Sequence, residues 1–172
     1  MKPRRVDLPA SSVLQPLLQG AYYADAFEAV DPLPESDAMA SALAVLGCVP
    51  AWVEHAMDMR NSVVSRLGLK DLGRLSNIET SKPAANYQVG DAVGIFSLQH
   101  RSDDEVVMSD SDRHLDVRVS LFKARAQQRL VLSTVVHVRN WLGRLYMLPV
   151  APVHRIIVPA LLAQLTTRYS RS

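Results

Sequence analysis

Seven consecutive residues, Asp112-Arg113-His114-Leu115-Asp116-Val117-Arg118, form the densest ionisable run in the chain. In an extended segment a spacing of two puts His114, Asp116 and Arg118 on one face. A histidine oriented by a carboxylate can serve as a general base, and an arginine holds a neighbouring carboxylate ionised. The competing reading is a solvated sheet face with cross-strand charge pairs. Arg60 follows Ala56 by four residues and precedes Val63 by three, so in a helix its stem shares the apolar stripe of Trp52. Pointing inward it would fix a ligand carboxylate or phosphate; otherwise it is tied to a core carboxylate such as Asp116, or snorkels to water. Thr134 alternates in phase with Leu130, Leu132, Val136 and Val138. That phase makes it a core-facing hydroxyl, either lining a cavity or bonded to nearby backbone. His137 falls in the opposite phase and reads as structural.

Other chemistries lack their residues. Cys48 is the only cysteine, which excludes an intramolecular disulfide and a cysteine metal cluster within one chain, and it reads as a buried inert thiol. No GxSxG, phosphate-binding loop or dinucleotide fingerprint is present, since Gly68-Leu69-Lys70-Asp71-Leu72-Gly73 lacks the glycine spacing. No metal or other cofactor is expected. Nineteen Lys and Arg against seventeen Asp and Glu leave a net charge of +2, too small and too scattered to imply a nucleic-acid partner.

The elements that must position these residues follow from pattern. The 172 residues, 48% hydrophobic and 21% charged, suit one globular domain, with residues 1–18, rich in proline, as an irregular opening. The start has no apolar signal-peptide core, and no run approaches the roughly 20 apolar residues of a membrane span. A soluble, cytoplasmic protein without stable membrane insertion is therefore expected. Tyr22 to Val30 reads as a first strand, ended by Asp31-Pro32-Leu33-Pro34. Ser36 as N-cap opens a helix to Gly47, and Pro50 opens a second that runs to Gly68. Lys70 to Asp91 reads as a long irregular connection. Beyond Gly90 the period becomes alternating, with strands at 92–100, 105–109, 114–122 and 129–139 in an antiparallel meander. A largely buried helix over about Val153 to Arg168, kinked or restarted at Pro159, closes the chain.

This order, with Trp52, Arg60-Asn61, Leu67-Gly68-Leu69-Lys70, Asp112 with His114-Leu115-Asp116, Ser133-Thr134-Val135-Val136, Gly143-Arg144-Leu145-Tyr146 and Pro152-Val153-His154-Arg155, resembles a bacterial family of unknown function. The family is of START-like (Bet v 1-like, SRPBCC-type helix-grip) form and also occurs fused to short-chain-reductase-like domains. The resemblance implies an α+β fold in which a curved antiparallel sheet grips a long C-terminal helix around an apolar cavity. It would put Tyr146 and His154 at the cavity mouth, unless they simply pack and bond the connection there. The superfamily holds lipid carriers, hormone receptors, cyclases and ring hydroxylases, and fold alone does not choose among them. The leading expectation is binding of a small apolar or amphipathic ligand, with Arg60 or Asp116 as polar anchor and Trp52, His114, Thr134, Tyr146 and His154 as further contacts. A metal-independent cyclase or dehydratase using cavity acid-base residues is the second reading. An accessory or homodimeric interaction module is the third.

Overall fold

The alternation after Gly90 builds most of a seven-stranded antiparallel sheet. The computed structural model describes residues 2–66 and 82–169. Its strands are β1 (Arg4–Val6), β2 (Tyr23–Val30), β3 (Ala92–Val93), β4 (Phe96–Arg101), β5 (Glu105–Ser111), β6 (Leu115–Ala124) and β7 (Arg129–Val138). They lie in the order β1-β2-β7-β6-β5-β4-β3. Helices α1 (Ala38–Leu46) and α2 (Ala51–Arg66) follow β2, and α3 (Trp141–Tyr169) closes the chain. The sheet is curved and the long helix packs against it, which is the α+β helix-grip arrangement expected. Residues 67–81 and the side chain of Arg60 lie outside the described residues, and with them most of the expected irregular connection.

The pairing register fixes which side chains meet α3. Tyr23 faces Val136, Asp25 faces Thr134 and Phe27 faces Leu132, while Val117, Val119 and Leu121 of β6 oppose the same three residues of β7. Strand alternation puts all nine on one side of the sheet. The other side is covered by the opening segment, where Leu14 packs on Val107 and Val135. There the buried Glu105 carboxylate accepts from Ser12 Oγ at 2.6 Å, Ser120 Oγ at 2.5 Å and the Val13 amide at 3.0 Å. Those three donors satisfy a charge that burial would otherwise penalise heavily.

Several boundaries differ from the sequence reading. The opening segment contributes β1, paired with β2 from Arg4↔Glu28 to Val6↔Ala26. The strand expected over 92–100 is a hairpin, because Gly94 takes φ +61° in the two-residue turn between Val93 and Phe96. The cap of α1 is Asp37, whose Oδ1 accepts from Ala40 N at 2.7 Å, one residue beyond Ser36. Helix α3 begins twelve residues earlier than expected, at Trp141, and runs as one element through Pro149, Pro152 and Pro159. Asn140 starts it by accepting the Gly143 amide at 3.1 Å. Gly143 lies so close to β6 that a Cβ would sit 2.6 Å from the His114 carbonyl oxygen. Glycine is what lets the first turn of α3 approach the sheet.

Burial of α3 is less complete than expected. Its buried positions are Gly143, Met147, Val158, Leu161, Leu162 and Leu165, and much of its first half faces outward. This helix is long and apolar enough to span a membrane by length and composition alone, contrary to the expectation that no segment qualifies, while its buried positions pack on the sheet.

Candidate functional site

Two apolar patches fix α3 to the sheet, and a polar row separates them. In one patch Met147 joins Tyr23, Leu115 and Val136. In the other Val158, Leu161 and Leu162 join Phe27, Leu121 and Leu132. Between them in the register stand Asp25 and Thr134, and between them on the helix stands His154. His154 Nδ1 lies 3.3 Å from Asp25 Oδ2, and His154 Nε2 lies 3.4 Å from Thr134 Oγ1. Because a carboxylate only accepts, Nδ1 carries the proton toward Asp25, and Nε2 is left to accept from the Thr134 hydroxyl. The Tyr23 hydroxyl donates to the same Asp25 oxygen, and its ring meets the His154 ring edge-on at a centroid distance of 5.9 Å.

The electrostatics of the row follow from burial. The Asp25 side chain has no exposed surface, whereas 24% of His154 is exposed. Burial, and then the hydrogen bond to Asp25 and the negative charge there, raise the Tyr23 hydroxyl from its ordinary 10.0 to about 12, against a smaller lowering by Arg155. The Arg155 guanidinium carbon sits 5.7 Å from the centre of the Tyr23 ring. Both donors to Asp25 reach Oδ2. Its other oxygen, Oδ1, is buried without a hydrogen-bond partner. This contrasts with Glu105 on the opposite face, whose two oxygens are both engaged.

A groove of about 690 Å³ opens at the edge of β2, with Arg5, Val6, Gln15, Leu18, Ala24 and Asp25 in its wall. It lies beside β1 and the 3₁₀ turn Gln15–Leu18, outside the helix-to-sheet contact where a cavity was expected. Asp25 borders this wall along β2, but its side chain, without exposed surface, turns to the α3 side into the polar row, whereas Ala24 and Ala26 have the opposite phase.

A model of the family described as "Protein of unknown function (DUF2867)" matches residues 17–161. The chain belongs to this family. That span of the DUF2867 chain runs from the 3₁₀ turn to the second apolar patch of α3 and includes every residue of the polar row. No curated protein and no solved structure matches the chain.

Of the residues singled out from the sequence, Thr134 and His154 come together in the polar row. Tyr146 lies partly buried against the first apolar patch. His114 is buried in a separate network, with Nδ1 at Asn140 and Nε2 accepting from Arg113 Nε at 2.8 Å, which holds the start of α3. Asp116 and Arg118 pair at 3.4 Å on the face turned away from α3, as strand parity requires, so Asp116 does not join Thr134. His137 shares that outer phase, 3.4 Å from the Gln19 carbonyl. Trp52 is 46% exposed on α2, where the shared apolar stripe led to an expectation of cover. Arg60 lies outside the described side chains. Sequence reasoning missed Tyr23 and Asp25. The available signal was an acidic residue in the phase of Tyr23, Phe27 and Ala29, but Ala24 and Ala26 make the other phase apolar too and blur which one faces inward.

Proposed function

We propose that the protein binds an amphipathic small molecule between α3 and the sheet, with a hydrogen-bond donor of the ligand directed to Asp25 Oδ1. The observation that carries this reading is the buried, unpartnered oxygen in a carboxylate whose other oxygen holds two donors. Native structures leave few such atoms without a partner, because each costs about 1–3 kcal/mol. A ligand hydroxyl or ammonium would supply the missing donor. The partly exposed His154 marks the side from which such a ligand would enter, and its apolar part would lie against the two apolar patches that flank the row.

Native mass spectrometry of the chain purified from its own host tests this. An adduct of defined mass is expected, and it should be lost in Asp25→Ala while the circular dichroism spectrum is kept. A preparation free of adduct, together with no thermal shift from long-chain alcohols or amines, would overturn the reading.

A metal-independent proton-transfer enzyme is the second reading, and the position of His154 favours it. A partly exposed imidazole oriented by a buried carboxylate is the arrangement of a general base. In that case carbon-bound protons of the captured ligand would exchange with deuterium in the presence of the protein. His154→Gln should stop the exchange but retain the adduct.

A further inference from the structure

Helix α3 is apolar on the side that meets no other part of the described structure. At 100° per residue its buried positions, from Gly143 to Leu165, cluster on one side. On the opposite side Trp141, Leu145, Leu148, Pro152 and Ile156 fall on one stripe spanning four turns. Trp141 is 73% exposed, Leu148 65% and Ile156 62%. Exposed apolar residues scattered singly need no explanation, but a contiguous stripe along one helix does.

The charges beside the stripe indicate what covers it. Arg144 and Arg155 are exposed along one flank, and the 29 residues of α3 include no Asp or Glu. A second copy meeting the stripe through its own α3 would bring arginines together without an acidic partner from either helix. An anionic lipid surface supplies both apolar volume and counter-charge. The Trp141 indole at the end of the stripe is the side chain that favours the boundary between headgroups and acyl chains.

We infer that α3 is a membrane-surface helix, and that the protein docks on anionic phospholipid through Trp141, Leu145, Leu148, Pro152 and Ile156 with Arg144 and Arg155 at the headgroups. The helix lies in the plane of the surface and does not cross it, because Val158, Leu161, Leu162 and Leu165 stay packed on the sheet. Peripheral helices of this kind draw on apolar insertion together with attraction to anionic lipid.

Flotation of the full chain with vesicles of phosphatidylcholine alone, and of phosphatidylcholine mixed with phosphatidylglycerol, is the test. Binding to the mixed vesicles that weakens with added salt is expected, with a blue shift of Trp141 emission read in a Trp52→Phe background. Leu148→Glu with Ile156→Glu should reduce binding at least ~10-fold. Arg144→Gln and Arg155→Gln should each weaken it roughly five-fold, and roughly 25-fold together. All of these positions are exposed, and unchanged thermal melts would confirm that the variants fold. Absence of binding to the mixed vesicles overturns the inference, as does equal, salt-independent binding to both kinds. A dimer abolished by Leu148→Glu in a chain that ignores vesicles would also overturn it, in favour of a second copy.

Discussion

Tyr23→Phe tests the polar row through its dependence on pH. The Tyr23 hydroxyl is held at about 12 in the folded chain against an ordinary 10.0, so the folded state keeps the phenolic proton over a window in which the unfolded chain has released it. A folded value raised above the unfolded one contributes stability that is complete below pH 10 and is lost as pH rises through about 12. At about pH 11 the unfolded tyrosine is roughly nine-tenths ionised and the folded one roughly one-tenth, a difference of about 1.4 kcal/mol. The full loss above pH 12 is about 2.7 kcal/mol. Tyr23→Phe has no such proton. It also removes a donor to Asp25, and should be less stable than the parent by about 1 kcal/mol near pH 8. The two chains should therefore converge, and then cross, as the solution is made alkaline. Urea unfolding at about pH 8 and about pH 11 measures this, and every other titrating group cancels in the comparison. Equal alkaline losses in the two chains would refute the burial and the Asp25 contact assigned to Tyr23.

Other substitutions test the frame around the row. Gly143→Ala should cost about 1–3 kcal/mol in urea unfolding, because its Cβ would meet the His114 carbonyl at 2.6 Å and Val138 Cγ1 at 3.0 Å. Lys123 is fully buried, 2.9 Å from Asp31 and 2.6 Å from the Leu33 carbonyl, so Lys123→Met leaves Asp31 uncompensated and should cost about 3–5 kcal/mol. Adding Asp31→Asn to Lys123→Met should recover most of that loss by the same measurement. Asp37→Ala removes the cap of α1 and should lower stability by about 1 kcal/mol, read as an earlier thermal midpoint.

Much of the architecture was legible because a single physical signal dominates each part of it. Alternation in Leu115-Asp116-Val117-Arg118-Val119 sorts the two faces of β6 without ambiguity, and Thr134 follows its aliphatic neighbours to the inner face. Helix α3 was misjudged because local rules point the wrong way. Gly143 and three prolines read as breakers, yet Gly143 serves close approach and the helix runs through the prolines, with packing at both ends of the element outweighing the lost amide donors. The site was half legible. His154 and Thr134 could be named individually, but their meeting depends on how far α3 lies along the sheet, which no local pattern records. Asp25 was hidden by the small alanines around it. The ionisable run at 112–118 drew attention by density, whereas the structure spends it on the start of α3 and on a partly buried ion pair.

The polar row also has a mechanical consequence. Aliphatic surfaces are indifferent to which methyl group touches which, so a smooth helix on a smooth sheet has several seats of similar energy. Sliding α3 by one turn, about 5.4 Å, would carry His154 out of reach of Asp25 and set the carboxylate against hydrocarbon. The row therefore acts as a notch: it gives up some stability in the orphaned Asp25 oxygen and leaves the helix a single position in which to lock.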